Sequence, residues 1–342
     1  MIRAALMPLA VLACAALASA QQSWEFIPSE QRWQKVDAAA TRPVKEPTLD
    51  RVEQSLLAGS AATARKTVVQ WLKANKQSPV RDRGLYYLGE ANFLLDRRIN
   101  AFYNFDELLD YYPASPWFHP ALQRQYDIAD AFLRGHKRKI LGLRIFGARE
   151  EAIEMLFRIQ QRAPGSPLAE KSLLRTADYY YDNAEFDLAA DAYAAFARSY
   201  PRSPELERVR LRQAFSSLAQ FRGLKFDATP IIDARQQLAD IAALHPDLSR
   251  QQNLPAIRQR IEQTLARKDL DRADFYRRTD KPQSAAWHYQ YVIRSFPNLS
   301  EAEEARRKMA ELPKWAVETL SIPPVTRPYE KPAQEEEGAV PP

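Results

Sequence analysis

A short corner built from proline and serine recurs along this sequence. Copies stand at residues 112–117 ("YPASPW"), 163–168 ("APGSPL") and 200–205 ("YPRSPE"). Proline lacks an amide donor and disfavours helix in the residue before it, so the first proline of each copy ends a helix. The serine hydroxyl can cap the next helix, and the second proline fits the first turn of that helix. The sequence therefore predicts helices joined by very short corners.

Small and aromatic residues recur at fixed offsets between these corners. In residues 166–201, an alanine and a tyrosine on the first helix are followed by an alanine and a tyrosine on the second. Other units keep these offsets, and the repeat length is about 34 residues. The pattern resembles the tetratricopeptide repeat (TPR), in which small and aromatic residues of two helices interlock. The predicted repeat-core residues are Gly89, Ala101, Phe105, Ala177, Tyr180, Ala189, Tyr193, Ala273, Tyr276, Ala285 and Tyr289.

These repeats predict an all-α, TPR-like α-solenoid. Short corners make neighbouring helices antiparallel, and each hairpin leaves an apolar face that only the next hairpin can cover. About six hairpins and a capping helix at 300–312 fit into residues 48–312, and their stacking predicts a right-handed superhelix. Insertions interrupt this array at 136–147 and 221–229.

Residues 1–20 are predicted to be an export signal. An uncharged apolar run at 4–17 is followed by small residues that end at Ala20, which fits a cleavage site. A second interpretation is a lipobox at 11–14, in which Cys14 is lipidated. Cys14 is the single cysteine of the chain, so no internal disulfide is possible. Both interpretations predict an exported protein.

Two end segments differ in composition from the repeats. Residues 21–47 form an N-terminal extension that mixes Trp24, Phe26 and Trp33 with polar residues. Residues 313–342 are rich in proline and finally acidic, which predicts a disordered or partner-dependent tail.

The sequence carries no recognisable catalytic or cofactor-binding motif. The formal net charge is +6, with both signs mixed along the helices, so nucleic acid is not an expected partner. No histidine pair has metal-ligand spacing on one helix. We therefore expect neither an enzyme nor a metal or cofactor site. The four histidines are His119, His136, His245 and His288.

The insertion at 136–147, "HKRKILGLRIFG", alternates basic and apolar residues. One interpretation is a segment that touches an anionic membrane surface or a partner protein. The other is a long loop that folds back on its own helices and buries its apolar residues. The sequence leaves both interpretations open.

Three segments of the second half resemble the BamD family. They are "ADYYYDNAEFDLAADAYAAFARSYPRSP" at 177–204, "DATPIIDARQQLADIAALHPD" at 227–247 and the long segment at 265–312 that contains "ADFYRR" and "AAWHYQYVIRSFP". BamD is the TPR lipoprotein of the β-barrel assembly machinery in bacterial outer membranes. The resemblance covers roughly residues 80–312. It implies a place at the periplasmic face of the outer membrane, or in the soluble periplasm if the chain is not lipidated.

The resemblance also implies protein partners. A BamA-like barrel protein would bind the C-terminal repeats, and unfolded outer-membrane protein segments would bind the N-terminal repeats. The fold alone also permits another periplasmic TPR adaptor, which would organise cell-envelope enzymes or a secretion channel.

A TPR array presents side chains of its first helices on a concave face. Mixed charge with aromatic side chains on that face suits peptide binding, since aromatic residues and arginine often carry affinity. The candidate groove residues are Arg83, Tyr86, Glu90, Phe93, Lys171, Leu174, Asp178, Tyr181, Asp182, Arg267, Leu270, Asp274, Arg277 and Arg278.

Overall fold

The computed structural model describes residues 23–27, 32–36, 45–136, 138–140, 143–146 and 149–318. The predictions for the export signal, including Cys14, and for residues 319–342 lie outside these described residues. The first unit carries strands β1 (Ser23–Ile27), β2 (Arg32–Val36), β3 (Arg138–Ile140) and β4 (Leu143–Phe146), and helices α1 (Pro47–Leu57), α2 (Ala61–Ala74), α3 (Arg81–Leu94), α4 (Arg98–Tyr111), α5 (Phe118–Leu133) and α6 (Arg149–Arg162). Helix α7 (Pro167–Asp182) follows, and then α8 (Phe186–Ser199), α9 (Leu206–Ala219), α10 (Thr229–Leu244), α11 (Pro246–Gln251), α12 (Leu254–Arg278), α13 (Pro282–Ser295), α14 (Ser300–Ala310) and α15 (Lys314–Glu318).

The chain divides into two compact units between Tyr179 and Tyr180, within α7. In the first unit each helix from α1 to α5 packs against its successor in sequence, so that α1–α2, α3–α4 and α5–α6 form helical hairpins. Its core contains Leu49, Val68 and Phe105, all buried. The prediction of an all-α protein built from sequential hairpins is confirmed.

The second unit repeats this arrangement. Helix α8 packs on α9, α9 on α10, α10 on α12 and α12 on α13, and both α14 and α15 pack against α13. Its core contains Ile231, Leu265 and Tyr289. The capping helix predicted at 300–312 corresponds to α14. The right-handed superhelix stays a prediction.

In the α3–α4 and α12–α13 hairpins, the repeat-core positions lie on helices that pack against each other. All eleven predicted residues are buried except Tyr180 and Tyr276, which are half-buried. Gly89 on α3 shows why one position must be small. A Cβ atom there would lie 2.3 Å from a ring carbon of Phe105 on α4. The absence of a side chain therefore lets α4 place its aromatic ring directly against the α3 backbone.

The corners differ in their capping. The Ser166 hydroxyl accepts the Ala169 amide at 3.1 Å as α7 begins at Pro167, as predicted. Ser203 instead accepts the Glu205 amide within a turn, and α9 begins only at Leu206, so the cap predicted there is wrong.

Ser249 and Ser300 follow two other corner prolines, Pro246 and Pro297, and could in principle cap helices as well. Ser249 is buried inside α11, a helix that the sequence did not predict, and Ser300 is the first residue of α14. Neither caps a helix, because the corner at Pro246 continues directly into α11 and the N-cap of α14 is Leu299.

The turns between the two helices of several hairpins each contain one residue in the left-handed backbone conformation. Asp96, Ala184 and Asp280 have φ values of 56°, 59° and 55°, and Gly59 has 74° in the equivalent turn between α1 and α2. A left-handed residue lets the chain reverse within a few residues after the first helix ends. Sequence patterning did not identify these positions, since three of the four are not glycine.

Strands occur where the sequence predicts an extension and an insertion. In the extension, β1 pairs antiparallel with β2, with Phe26 opposite Trp33. In the insertion at 136–147, β3 pairs antiparallel with β4. The side chains of these strands lie outside the described part, so both interpretations of the insertion stay open. At the other end, α15 occupies part of the segment from residue 313 for which the sequence predicts a tail.

Candidate protein-interaction surface

The predicted groove residues of the first unit mostly contact other helices of this chain. The Arg83 guanidinium on α3 lies 2.8 Å from Asp50 and 2.9 Å from Glu53, both on α1. It also donates to the Tyr87 hydroxyl at 3.0 Å. Arg83 therefore joins the first helices of two successive hairpins.

Glu90 makes the equivalent connection between α3 and α5. Its carboxylate accepts two hydrogen bonds from Arg124, at 2.7 and 2.9 Å, and only 6% of the residue is exposed. The prediction that Glu90 lines an open groove is wrong, because the repeat that follows covers it.

Two aromatic groove candidates are also engaged. Tyr86 stacks on Trp117 at 4.5 Å between ring centroids. The guanidinium groups of Arg98 and Arg124 lie 5.0 and 4.7 Å from the Phe93 ring, within cation–π distance. Both rings are half-buried. They stabilise the stacking of successive hairpins.

A third inter-repeat contact lies on Asp130 of α5. Arg175 on α7 donates to its carboxylate at 2.6 Å, and Arg134 donates as well. Burial alone would raise the pKa of Asp130, but these two arginines hold it below its ordinary value. The Glu90–Arg124 pair thus links α3 to α5, and the Asp130–Arg175 pair links α5 to α7.

The next groove candidates lie on α7, and some of them are exposed. Lys171 is exposed, and its ammonium lies 4.4 Å from the Tyr126 ring centroid. Asp182 is exposed, whereas Leu174 and Asp178 are half-buried. The Tyr181 ring is half-buried and lies 4.9 Å from the Arg212 guanidinium.

In the second unit, the predicted groove face of α12 turns towards α14. Asp274 is 9% exposed, accepts the Tyr289 hydroxyl at 2.5 Å and pairs with Lys308 at 2.6 Å. Burial would raise the pKa of Asp274, but the bonds from Lys308 and Tyr289 outweigh that effect and lower it. Leu270 is fully buried. The prediction of an open groove is therefore wrong for both residues.

The three arginines predicted on this face are exposed. Arg267 pairs with Asp271 at 3.1 Å and with Glu304 at 3.2 Å. Arg277 pairs with Glu311 at 2.9 Å. These surface pairs restrain the side chains only weakly. Arg278, at the end of α12, is exposed on the same helix.

A chain of contacting rings covers part of α12 and α13, and we call it the aromatic strip. Tyr276 stacks on His288 at 5.3 Å, His288 meets Trp287 edge-on at 4.8 Å, and Trp287 lies parallel to Tyr291 at 5.9 Å. Phe275 continues it at 5.6 Å from Tyr276. The aromatic strip comprises Phe275, Tyr276, Trp287, His288 and Tyr291.

Part of the aromatic strip is open to solvent. Phe275 is 52% exposed and Trp287 is 37% exposed. Burial, followed by the charge of Arg272, lowers the pKa of His288 to about 4, so its ring is neutral at pH 7. Tyr276 and His288 are half-buried and Tyr291 is only 8% exposed, so the open part of the strip is formed by Phe275 and Trp287. Exposed apolar surface can mark a site of protein interaction.

Sequence reasoning placed no site at the aromatic strip. Its signal was present in "ADFYRR" and "AAWHYQY", which hold more aromatic residues than a repeat core requires. Tyr276 occupies a core position, so Phe275, Trp287 and Tyr291 were the surplus rings.

A loop beside α12 is held by Lys268. Its ammonium donates to the carbonyl oxygens of Leu224 at 2.6 Å and Phe226 at 2.5 Å. Asp227 accepts the amide and the hydroxyl of Thr229, at 3.2 and 3.1 Å, as α10 begins. These contacts order the predicted insertion at 221–229 and display Phe226, which is 55% exposed.

The described residues contain neither a candidate membrane-spanning helix nor a candidate metal-binding cluster. Among those residues no helix is both long and apolar enough to cross a membrane. The same part of the chain holds no cluster of three or more histidine, cysteine or acidic side chains that could bind a metal ion.

Sequential helical hairpins with small and aromatic residues at their contacts define an α-helical repeat protein of the TPR type. Within it, residues 147–315 match the family model described as YfiO, outer membrane lipoprotein. This part of the chain is therefore a YfiO (BamD) family domain. The resemblance predicted this family over roughly residues 80–312, and the match begins at residue 147.

Solved structures of repeat proteins are also similar to the chain. The C-terminal part of a TPR repeat-containing protein from Cytophaga hutchinsonii has 13% identity and a TM-score of 0.35, over 77% of this chain and 89% of that one. A tetratricopeptide repeat protein from Parabacteroides merdae has 11% identity and a TM-score of 0.34, over 77% and 97%. No curated protein matches the chain.

Proposed function

We propose that this protein is a BamD-like scaffold that binds the periplasmic part of a BamA-like barrel protein and supports insertion of outer-membrane β-barrel proteins. The observation that carries the proposal is the YfiO family domain at residues 147–315. Its role is non-catalytic, since binding requires only presented side chains and a rigid repeat frame.

The surface of the family domain supports this proposal. It presents the exposed arginines of α12 together with the exposed rings of Phe275 and Trp287. Aromatic residues and arginine are enriched at the energetic centres of protein interfaces. We place the contact with the barrel protein on this part of the second unit.

Membrane attachment through Cys14 fits the same proposal. The family is described as an outer membrane lipoprotein, and Cys14 is the only cysteine to which a lipid can be attached. Intact mass spectrometry of the mature protein distinguishes the two interpretations. A lipidated N-terminal Cys14 supports the anchor, whereas an unmodified N-terminus at Gln21 shows cleavage after Ala20 and a soluble protein.

Site-specific photo-cross-linking in the native envelope tests the partner. A benzophenone amino acid at Arg278 should capture an outer-membrane barrel protein that carries periplasmic domains. The matched control is the same amino acid at Lys66, which is exposed on α2 outside the family domain. Lys66 should not capture that protein.

Two outcomes would contradict the proposal. Capture of cell-wall enzymes or a secretion channel at Arg278, without a barrel protein, would identify another periplasmic adaptor. Equal capture of the barrel protein at Arg278 and Lys66 would show that the family domain does not provide the contact.

A further inference from the structure

The aromatic strip has the chemistry of a surface that binds proline-rich peptides. Trp287 and Tyr291 lie parallel, with an interplanar angle of 8°, and Phe275 and Trp287 are open to solvent. Proline-rich segments in the polyproline II conformation dock on aromatic-lined surfaces because their conformation is already ordered before binding. A proline-rich ligand is therefore the first occupant to consider.

This chain contains such a segment immediately after its last described helix. Helix α15 ends at Glu318 and packs against α13, the helix that carries Trp287, His288 and Tyr291. The sequence that follows, "TLSIPPVTRPYEKP" at 319–332, has prolines at 323, 324, 328 and 332. The chain thus leaves its last helix beside the helix that carries most of the strip.

The length of the segment is sufficient to reach every part of the strip. Helix α13 has 14 residues, which corresponds to a length of about 20 Å. Residues 319–332 in the polyproline II conformation extend up to roughly 40 Å. Because α15 already contacts α13, the segment reaches the whole of α13 without any rearrangement of the helices.

Charge favours this placement for the acidic end of the tail, which follows the docking segment. Arg278 and Lys281 are exposed where α12 ends and the corner to α13 begins, close in sequence to Phe275. The tail is acidic only beyond Pro332, with glutamates at 335, 336 and 337, whereas residues 322–332 carry Arg327 and Lys331 against Glu330. His288 adds no positive charge at neutral pH, so the strip stays apolar between these cations.

We propose that residues 322–332 of this chain dock on its own aromatic strip, with prolines and Tyr329 against the exposed rings of Phe275 and Trp287, while the buried Tyr291 supports Trp287 from beneath. The inference goes beyond the proposed function, because the tail would use the same exposed rings, Phe275 and Trp287, as the partner protein and would compete with it for them. Its tests use the purified full chain without any partner, so their failure leaves the proposed function intact.

Photo-cross-linking locates the tail directly. A benzophenone amino acid at position 329 of the full chain should give an intramolecular cross-link, which mass spectrometry assigns to α12 or α13. Its yield should not depend on protein concentration. The control is the same amino acid at position 339, beyond the proposed docking segment, which should give little cross-linking to these helices.

Substitutions on the surface provide the matched comparison. Phe275→Ala should lower the cross-link yield at least fivefold. Tyr103→Ala should leave it unchanged, because Tyr103 is 62% exposed on α4 in the first unit. Equal melting temperatures of both variants show that the loss is not caused by unfolding. A cross-link to the first unit, or a cross-linked dimer, would overturn the proposal.

A binding experiment gives an independent test. A fluorescent peptide of residues 319–334 is titrated against the full chain and against a full-length variant in which the four prolines at 323–332 are alanines. A short tether gives the tail an effective concentration of about millimolar, so it should exclude the peptide. We expect the variant to bind the peptide at least tenfold more tightly than the wild type. Equal binding, or no binding to either protein, would contradict docking.

Discussion

Arg124 donates two hydrogen bonds to the Glu90 carboxylate across one repeat length, at 2.7 and 2.9 Å. The Glu90 side chain is 8% exposed and that of Arg124 is 28% exposed. Loss of one partner from a buried pair leaves the other charge without compensation. This pair therefore couples the α3–α4 hairpin to the hairpin that follows it.

We predict that Arg124→Ala lowers the free energy of unfolding by about 3 kcal/mol, because the buried Glu90 carboxylate loses both hydrogen bonds from its arginine partner. Urea denaturation measures the change. Arg250→Ala is the control, since Arg250 and Asp247 are about 80% exposed, and such pairs contribute at most about 1 kcal/mol. Equal effects of the two substitutions would show that the Glu90 pair does not couple the hairpins.

The contact between Gly89 and Phe105 predicts a steric effect. Gly89→Ala should destabilise the protein by about 2 kcal/mol, because the new methyl group forces the Phe105 ring out of its position. Adding Phe105→Leu to this variant should recover part of the loss. Additive losses in the double variant, measured by urea denaturation, would mean that the two positions do not compete for the same space.

Ala184 offers a substitution that should stabilise the protein. Its φ of 59° is left-handed and it is exposed. Since the left-handed conformation costs an alanine about 1 kcal/mol more than a glycine, Ala184→Gly should raise the unfolding free energy by up to about 1 kcal/mol. Ala195→Gly, inside α8, should lower it by a similar amount. A loss of stability at position 184 would contradict the left-handed turn.

Asp274 should matter for stability and not for partner binding. Its folded pKa is lowered, so its contribution is present above pH about 4 and is lost as the pH falls through the folded pKa. Asp274→Asn should cost about 2 kcal/mol at pH 7, because Lys308 loses a charged partner. The double variant with Lys308→Met should recover part of this loss in urea denaturation.

Arg278 gives the opposite expectation. It is exposed at the end of α12, so Arg278→Glu should leave the urea midpoint nearly unchanged. It should weaken capture of the barrel partner by a benzophenone amino acid placed at the neighbouring exposed position Arg277. If Arg278→Glu unfolds the protein, Arg278 contributes to stability, contrary to this prediction. If Asp274→Asn abolishes partner capture without a change in stability, Asp274 contributes to binding and the prediction for that residue is wrong.

The lowered pKa of His288 predicts that the stability of the folded protein depends on pH. Its pKa is lowered from 6.5 to about 4 in the folded protein, so the unfolded chain binds a proton at a higher pH than the folded one. Stability should therefore fall as the pH falls from 6.5 to 4. His288→Phe should lose less stability over this range, as measured by urea midpoints at pH 7 and pH 4.5. Equal losses would show that His288 does not titrate differently on folding.

The helical hairpins were predictable because their signals are local. Prolines, serine corners and small–aromatic offsets act within one repeat of about 34 residues, and the core positions around Gly89, Ala177 and Ala273 follow from them. The cap at Ser203 was not predictable in the same way. A serine followed by proline fits a turn as well as a helix start, and the adjoining packing decides between them.

The open groove could not be judged from one repeat at a time. Glu90 and Asp274 each stand 34 residues before their partners Arg124 and Lys308. A search for opposite charges one repeat apart would have found both pairs, since equivalent positions of successive first helices face each other. Helical periodicity alone only places these carboxylates on a helix face.

The sequence by itself determined a TPR-type array of helical hairpins and the BamD-like character of residues 147–315. The array depends on backbone preferences and on contacts within a hairpin, whereas the BamD-like character rests on the resemblance of sequence segments to that family. Only the tertiary structure decided which polar side chains are available to a partner. Stacking of the next helix removes Glu90 and Asp274 from solvent, whereas Phe275 and Trp287 stay exposed because no described helix covers them.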